Sequence, residues 1–118
     1  MKRTITAAFI ALALSAGSAW ADPSGSYNVE GANPGGEGAY KGTAVVSKNG
    51  DTFQVVWKIG EQTYTGTAIG NDDFLAVGYD AGGGSPGIAA FARKGSGWEG
   101  VWTYFGKDKI GVEKWSAE

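Results

Sequence analysis

Two charged side chains, Arg93 and Glu113, stand inside runs of β-forming residues and close to Trp98, Trp102 and Trp115. A carboxylate enclosed by indoles and phenols needs a hydroxyl, an amide or a cation beside it, because an unpaired buried charge is costly. If Glu113 points inward, among Trp57, Tyr64 and Trp102, it is the best polar handle for a ligand in the chain. Arg93 lies near a turn, where its guanidinium can stack on Trp98 or reach outward to water. Plain alternation argues the other way for Glu113. Ile110 and Val112 are more apolar than Gly111 and Glu113, an order that would turn the carboxylate outward. At this level both orientations stay open, and Trp57, Tyr64, Arg93, Trp102 and Glu113 form the candidate ligand-binding set.

Other chemistry is scarce. The chain has no histidine and no cysteine, which excludes a histidine base, a thiol nucleophile and thiolate or imidazole metal sites. The glycine-rich stretches match neither a phosphate loop nor a dinucleotide fingerprint. Asn71-Asp72-Asp73 lacks the ligand spacing of a calcium loop and fits an Asx-type turn. The remaining carboxylates fall mostly at turns, so neither catalysis nor a metal or cofactor is expected.

The first residues have the pattern of an export signal. Lys2 and Arg3 precede an apolar run from Ala7 to Leu14, and Ala19-Trp20-Ala21 fits a small-x-small cleavage site. The run is too short to span a bilayer as a helix, which takes roughly 20 residues. Cleavage after Ala21 leaves one small domain, residues 22–118, in the periplasm or secreted. Without Lys2 and Arg3, eight basic residues face twelve acidic ones. The basic residues are scattered, so no nucleic-acid partner is expected.

Gly, Asn and Asp punctuate short runs of β-formers at steps of roughly 8–12 residues, an all-β signal. Eight strands are predicted, near 26–30, 39–48, 51–59, 62–69, 74–80, 88–93, 98–105 and 109–115. Asn49-Gly50 is a strong type I′ hairpin signal and would pair Ala44 with Val55 and Gly42 with Trp57. Gly60-Glu61 would pair Trp57 with Tyr64, Val55 with Gly66 and Phe53 with Ala68. Both turns put Phe53, Val55 and Trp57 on one face and Thr52, Gln54 and Lys58 on the other.

"YKGTA" at 40–44, "YTGTA" at 64–68 and "WEGVW" at 98–102 repeat an aromatic-x-Gly element. A glycine on an inner face lets a ring from the next strand lie over bare backbone, and it lets a sheet bend far enough to close. Gly42, Gly66 and Gly100 are therefore read as structural. Gly100 would face Phe91 across one loop and Trp115 across a Lys107-Asp108 turn. That turn would also set Glu113 opposite Trp102.

Sequential strands joined by short turns make a meander, and eight of them close into an antiparallel up-and-down barrel. Its interior would hold Tyr27, Tyr40, Phe53, Trp57, Tyr64, Tyr79, Trp98 and Trp102. So much aromatic volume largely fills it and confines any cavity to one mouth. The outer face, read as Lys, Thr, Gln and Thr, does not fit a membrane-embedded barrel.

At "GSYNVEGANPGGEGAYKGTAVV", "YTGTAIG", "WEGVWTYFG" and "GVEKW" the chain resembles small exported bacterial proteins labelled fibronectin-binding-like. That resemblance implies adhesion and a protein partner. The meander is also broadly similar to avidins and lipocalins, a likeness of fold that does not fix function. The expectation is a non-catalytic exported binding protein acting through its loops and barrel surface. A periplasmic enzyme inhibitor is one alternative. The other is a carrier that holds a small apolar or aromatic ligand in its mouth.

Overall fold

Gly50, Gly60 and Gly95 each adopt φ of +61°, and each opens a two-residue turn between antiparallel strands. A left-handed first position suits the twist of a tight hairpin and favours glycine. The computed structural model describes residues 22–80 and 84–118; the expected export segment and its cleavage site lie outside the described residues. In chain order the strands are β1 (Gly25–Ala32), β2 (Ala39–Asn49), β3 (Thr52–Ile59), β4 (Gln62–Gly70), β5 (Phe74–Asp80), β6 (Pro86–Lys94), β7 (Gly97–Tyr104) and β8 (Gly111–Ala117). A single 3-10 turn, Pro34–Gly36, interrupts the β1–β2 connection.

Each strand pairs antiparallel with the next, and β8 returns to pair with β1. The expected eight-stranded antiparallel meander barrel is what forms. Closure leaves no sheet edge open to another chain.

Two expected registers are corrected, each by two residues. The first hairpin turns at Gly50-Asp51 and not at Asn49-Gly50, so Ala44 faces Trp57 and Gly42 faces Ile59. A side chain at Gly42 would therefore meet the Lys58 carbonyl and Ile59, not Trp57. The last connection is not a Lys107-Asp108 turn but runs through residues 105–110, with φ of +82° at Gly106. Glu113 consequently faces Gly100 and not Trp102, while Trp115 faces Trp98 and not Gly100. The pairs Trp57–Tyr64, Val55–Gly66, Phe53–Ala68, Phe91–Gly100 and Arg93–Trp98 form as expected. A two-residue slip preserves which face a side chain takes, so the inner set survives both corrections.

Rings do lie over glycines, at more places than the repeated element marks. Tyr40 covers Gly31, Tyr79 covers Gly87, Phe91 covers Gly100 and Trp102 covers Gly111, each from the facing position on a neighbouring strand. Gly66 leaves room for Val77 and Tyr79 instead.

The barrel's two ends differ. At one, Pro23 is buried beneath the strands and its carbonyl accepts the Tyr27 hydroxyl at 2.7 Å. The Trp98 indole N–H donates in turn to that hydroxyl at 3.3 Å. Arg93 stacks over Trp98, 4.3 Å from the ring centroid, and donates to the carbonyl of Asp72 at 2.8 Å. This end is plugged.

The outer surface is polar where expected and carries an apolar row elsewhere. On β2 and β3 it carries Lys41, Thr43, Gln54 and Lys58, with Val45 exposed among them. From β4 to β8 it carries one apolar row across five strands, Ile69, Ala76, Ala90, Val101 and Val112, with Thr67, Glu99 and Lys114 exposed beside it. Ile88 and Ile110 lie beside that row, both exposed.

Candidate functional site

Among the described residues, the end opposite the plug is open. A cavity of about 200 Å³ enters the barrel there, lined by Tyr40, Trp57, Ile59, Tyr64, Tyr79, Ala89, Trp102, Tyr104, Asn33 and Glu113. Four of the five candidate residues therefore share one wall system: Trp57, Tyr64, Trp102 and Glu113. The fifth, Arg93, belongs to the plugged end. Tyr40, Tyr79 and Tyr104 were not among the candidates, although all three lie on the inward period of their strands.

Glu113 points inward and is 8% exposed, while its neighbour Val112 is 51% exposed on the outer face. Alternation by hydropathy fails here because closure fixes the faces of β8 from both sides. Its strand neighbours at this position are Gly31 on β1 and Gly100 on β7, so no side chain crowds the carboxylate laterally. Rings use that space. Tyr40, on the strand beyond Gly31, crosses the bare glycine and donates its hydroxyl to Glu113 Oε1 at 2.6 Å. The Trp57 and Trp115 indole N–H groups both donate to Oε2, at 2.8 and 2.7 Å. Three donors meet an acceptor-only group, the arrangement that a buried carboxylate requires.

Gly31→Ala should break this bridge, because its added methyl would collide with the Tyr40 ring and the Val112 carbonyl. The expected result is a loss of about 1–3 kcal/mol in urea unfolding, the scale of core overpacking. An unperturbed midpoint would show that Tyr40 does not need the bare backbone at 31.

The phenols hold their protons firmly. Tyr40 is shifted strongly upward from the ordinary phenol value by burial first, then by the negative charge of Glu113 and the hydrogen bond to it. Burial also raises Tyr79, helped by neighbouring Tyr104 and Glu113, and raises Tyr104 more simply. All three remain O–H donors across the physiological range.

The rings pack at steep angles. Trp57 meets Tyr79 with centroids 5.4 Å apart at 60°, and Trp102 meets Tyr104 at 5.3 Å and 88°. The Trp102 indole N–H leans toward the Tyr40 oxygen without completing a hydrogen bond and has no other acceptor. It is the one buried side-chain donor or acceptor without a partner among the described residues. No protein-family model matches the chain, and no curated protein sequence does either.

Proposed function

We propose that this is a non-catalytic binding protein that takes one small ligand into the open end of its barrel. The aromatic cavity of about 200 Å³ with Glu113 in its wall carries this reading. It is smaller than the roughly 300–1,000 Å³ clefts that hold drug-sized molecules, so the ligand is a compact one. The lone carboxylate in the cavity has both oxygens engaged by structural donors, an arrangement suited to holding and not to proton transfer. The export-type N-terminus supports a place of action in the periplasm or outside the cell.

The test is an intrinsic tryptophan fluorescence titration against neutral and charged molecules of about ten heavy atoms or fewer. Saturable quenching by at least one is expected, and it should vanish in Ala89→Phe, which fills the cavity without removing a hydrogen bond. Quenching that survives Ala89→Phe would place the ligand elsewhere, and a flat titration throughout would end the proposal.

A second reading, engagement of a protein partner through the barrel surface, draws on the apolar row from Ile69 to Val112. The resemblance to fibronectin-binding-like proteins would make that partner a matrix protein. Immobilised fibronectin should then retain the protein, and Ile88→Lys should abolish retention with little change in melting temperature. Equal retention of the variant would remove this face from the interaction.

A further inference from the structure

Among the described residues, the ionisable groups lining the open cavity are one carboxylate, Glu113, and the phenols of Tyr40, Tyr64, Tyr79 and Tyr104. No described lysine or arginine lines it or pairs with Glu113; Lys114 pairs with Glu99 on the outer face. The three groups that hold Glu113 are neutral donors, so its charge is hydrogen-bonded but not balanced. The aromatic walls add to the same sign, since the faces of such rings carry the negative part of their quadrupole. An anion would meet the Glu113 carboxylate with no cation in the wall to offset it. A hydrocarbon would fill the space and leave the carboxylate's field unanswered.

The kind of cation is narrowed by the free hydrogen-bonding capacity. A carboxylate offers about four lone-pair sites, and three of Glu113's are taken. A primary ammonium or guanidinium brings three to five N–H donors that each need an acceptor, whereas the wall presents mainly ring faces beside its phenol oxygens and Asn33. A cation sheathed in methyl groups asks for none, and aromatic walls attract it through their faces.

We propose that the cavity binds a small methylated ammonium cation, a proposal that rests on reading this cavity as a ligand site. Calorimetric titration with choline and with its neutral carbon isostere, 3,3-dimethylbutan-1-ol, tests it. Choline should bind at least about tenfold more tightly, the scale of desolvated cation–π and charge attraction. Glycine betaine, which has the same head but an added carboxylate, should bind more weakly than choline. Tyr64→Leu, at a half-buried rim position, should narrow the gap between choline and the isostere without unfolding the chain. Glu113→Gln should narrow it further where that variant folds. A trimethyllysine peptide tests whether the cation is free or attached to a chain; either binder with choline-like selectivity supports the cation class. Equal affinity for choline and the isostere would overturn the cation proposal and leave a neutral-ligand cavity standing. No binding of any cationic probe would overturn it as well. In that case the fluorescence titration with neutral molecules decides whether the small-ligand reading survives.

Discussion

Glu113→Leu is expected to lower the unfolding free energy by about 3 kcal/mol, although it replaces a buried charge with a side chain that belongs in a core. Two effects oppose each other. Removing the carboxylate abolishes its desolvation penalty, which is why buried ion pairs often exchange favourably for apolar groups. It also strands three donors: the Trp57 and Trp115 indoles, both buried, and the half-buried Tyr40 hydroxyl. Each unsatisfied buried donor costs about 1–3 kcal/mol. The carboxylate's own penalty is already reduced by those bonds and by its position on the cavity wall, so the stranded donors outweigh it. In a domain of this size the loss corresponds to a fall in melting temperature of roughly 10–20 °C. Glu113→Gln should cost less, because one carbonyl oxygen still accepts while the amide opposes a donor. If Glu113→Leu melts at or above the parent temperature, the three bonds do not hold this end together. The glutamate would then be retained for its ligand alone.

The sequence made the inner face of this barrel readable, but not its pairing. Side-chain direction has a period of two along a strand, and both misplaced turns shifted pairing by two. Phe53, Val55 and Trp57 therefore kept their inward direction under the wrong partner, as did Glu113. The misplacement had a physical signal. Gly50 takes the same positive φ at the same turn position as Gly60 and Gly95, so three glycine-first turns were available as one consistent pattern. Lys107-Asp108 contains no glycine, whereas Gly106 beside it takes a positive φ.

Two features lay beyond a reading strand by strand. Tyr40 reaches Glu113 across an intervening strand, so the contact needs the closed circuit from β8 through β1 to β2. Gly31, which permits it, carries no aromatic-x-Gly signature, since Val29 stands two residues before it. The apolar outer row was likewise invisible from the polar faces of β2 and β3. It appears only when Ile69, Ala90, Val101 and Val112 are aligned by register.

Trp115→Ala should be the most damaging single-ring truncation, at about 3–5 kcal/mol, and should exceed Trp57→Ala. Trp115 is 2% exposed and sits at the centre of the aromatic core, 4.4 Å from Phe91, 5.2 Å from Tyr27 and 6.2 Å from Trp57 between ring centroids. Its removal leaves an enclosed void bounded by rings on three sides and strands Glu113 Oε2 with one donor fewer. Trp57 also donates to that oxygen, so the hydrogen-bond loss is comparable for the two. The difference lies in what the deleted ring leaves behind. Trp57 already lines the open cavity, and its loss enlarges a space that water can enter. The cost of truncation rises with the volume of void left unfilled, and a void open to solvent is relieved where an enclosed apolar one stays empty. Urea unfolding of the two variants side by side measures the gap. Equal losses would mean that the open end is as dry and closed as the core, and a cavity of that kind could admit no ligand from solution.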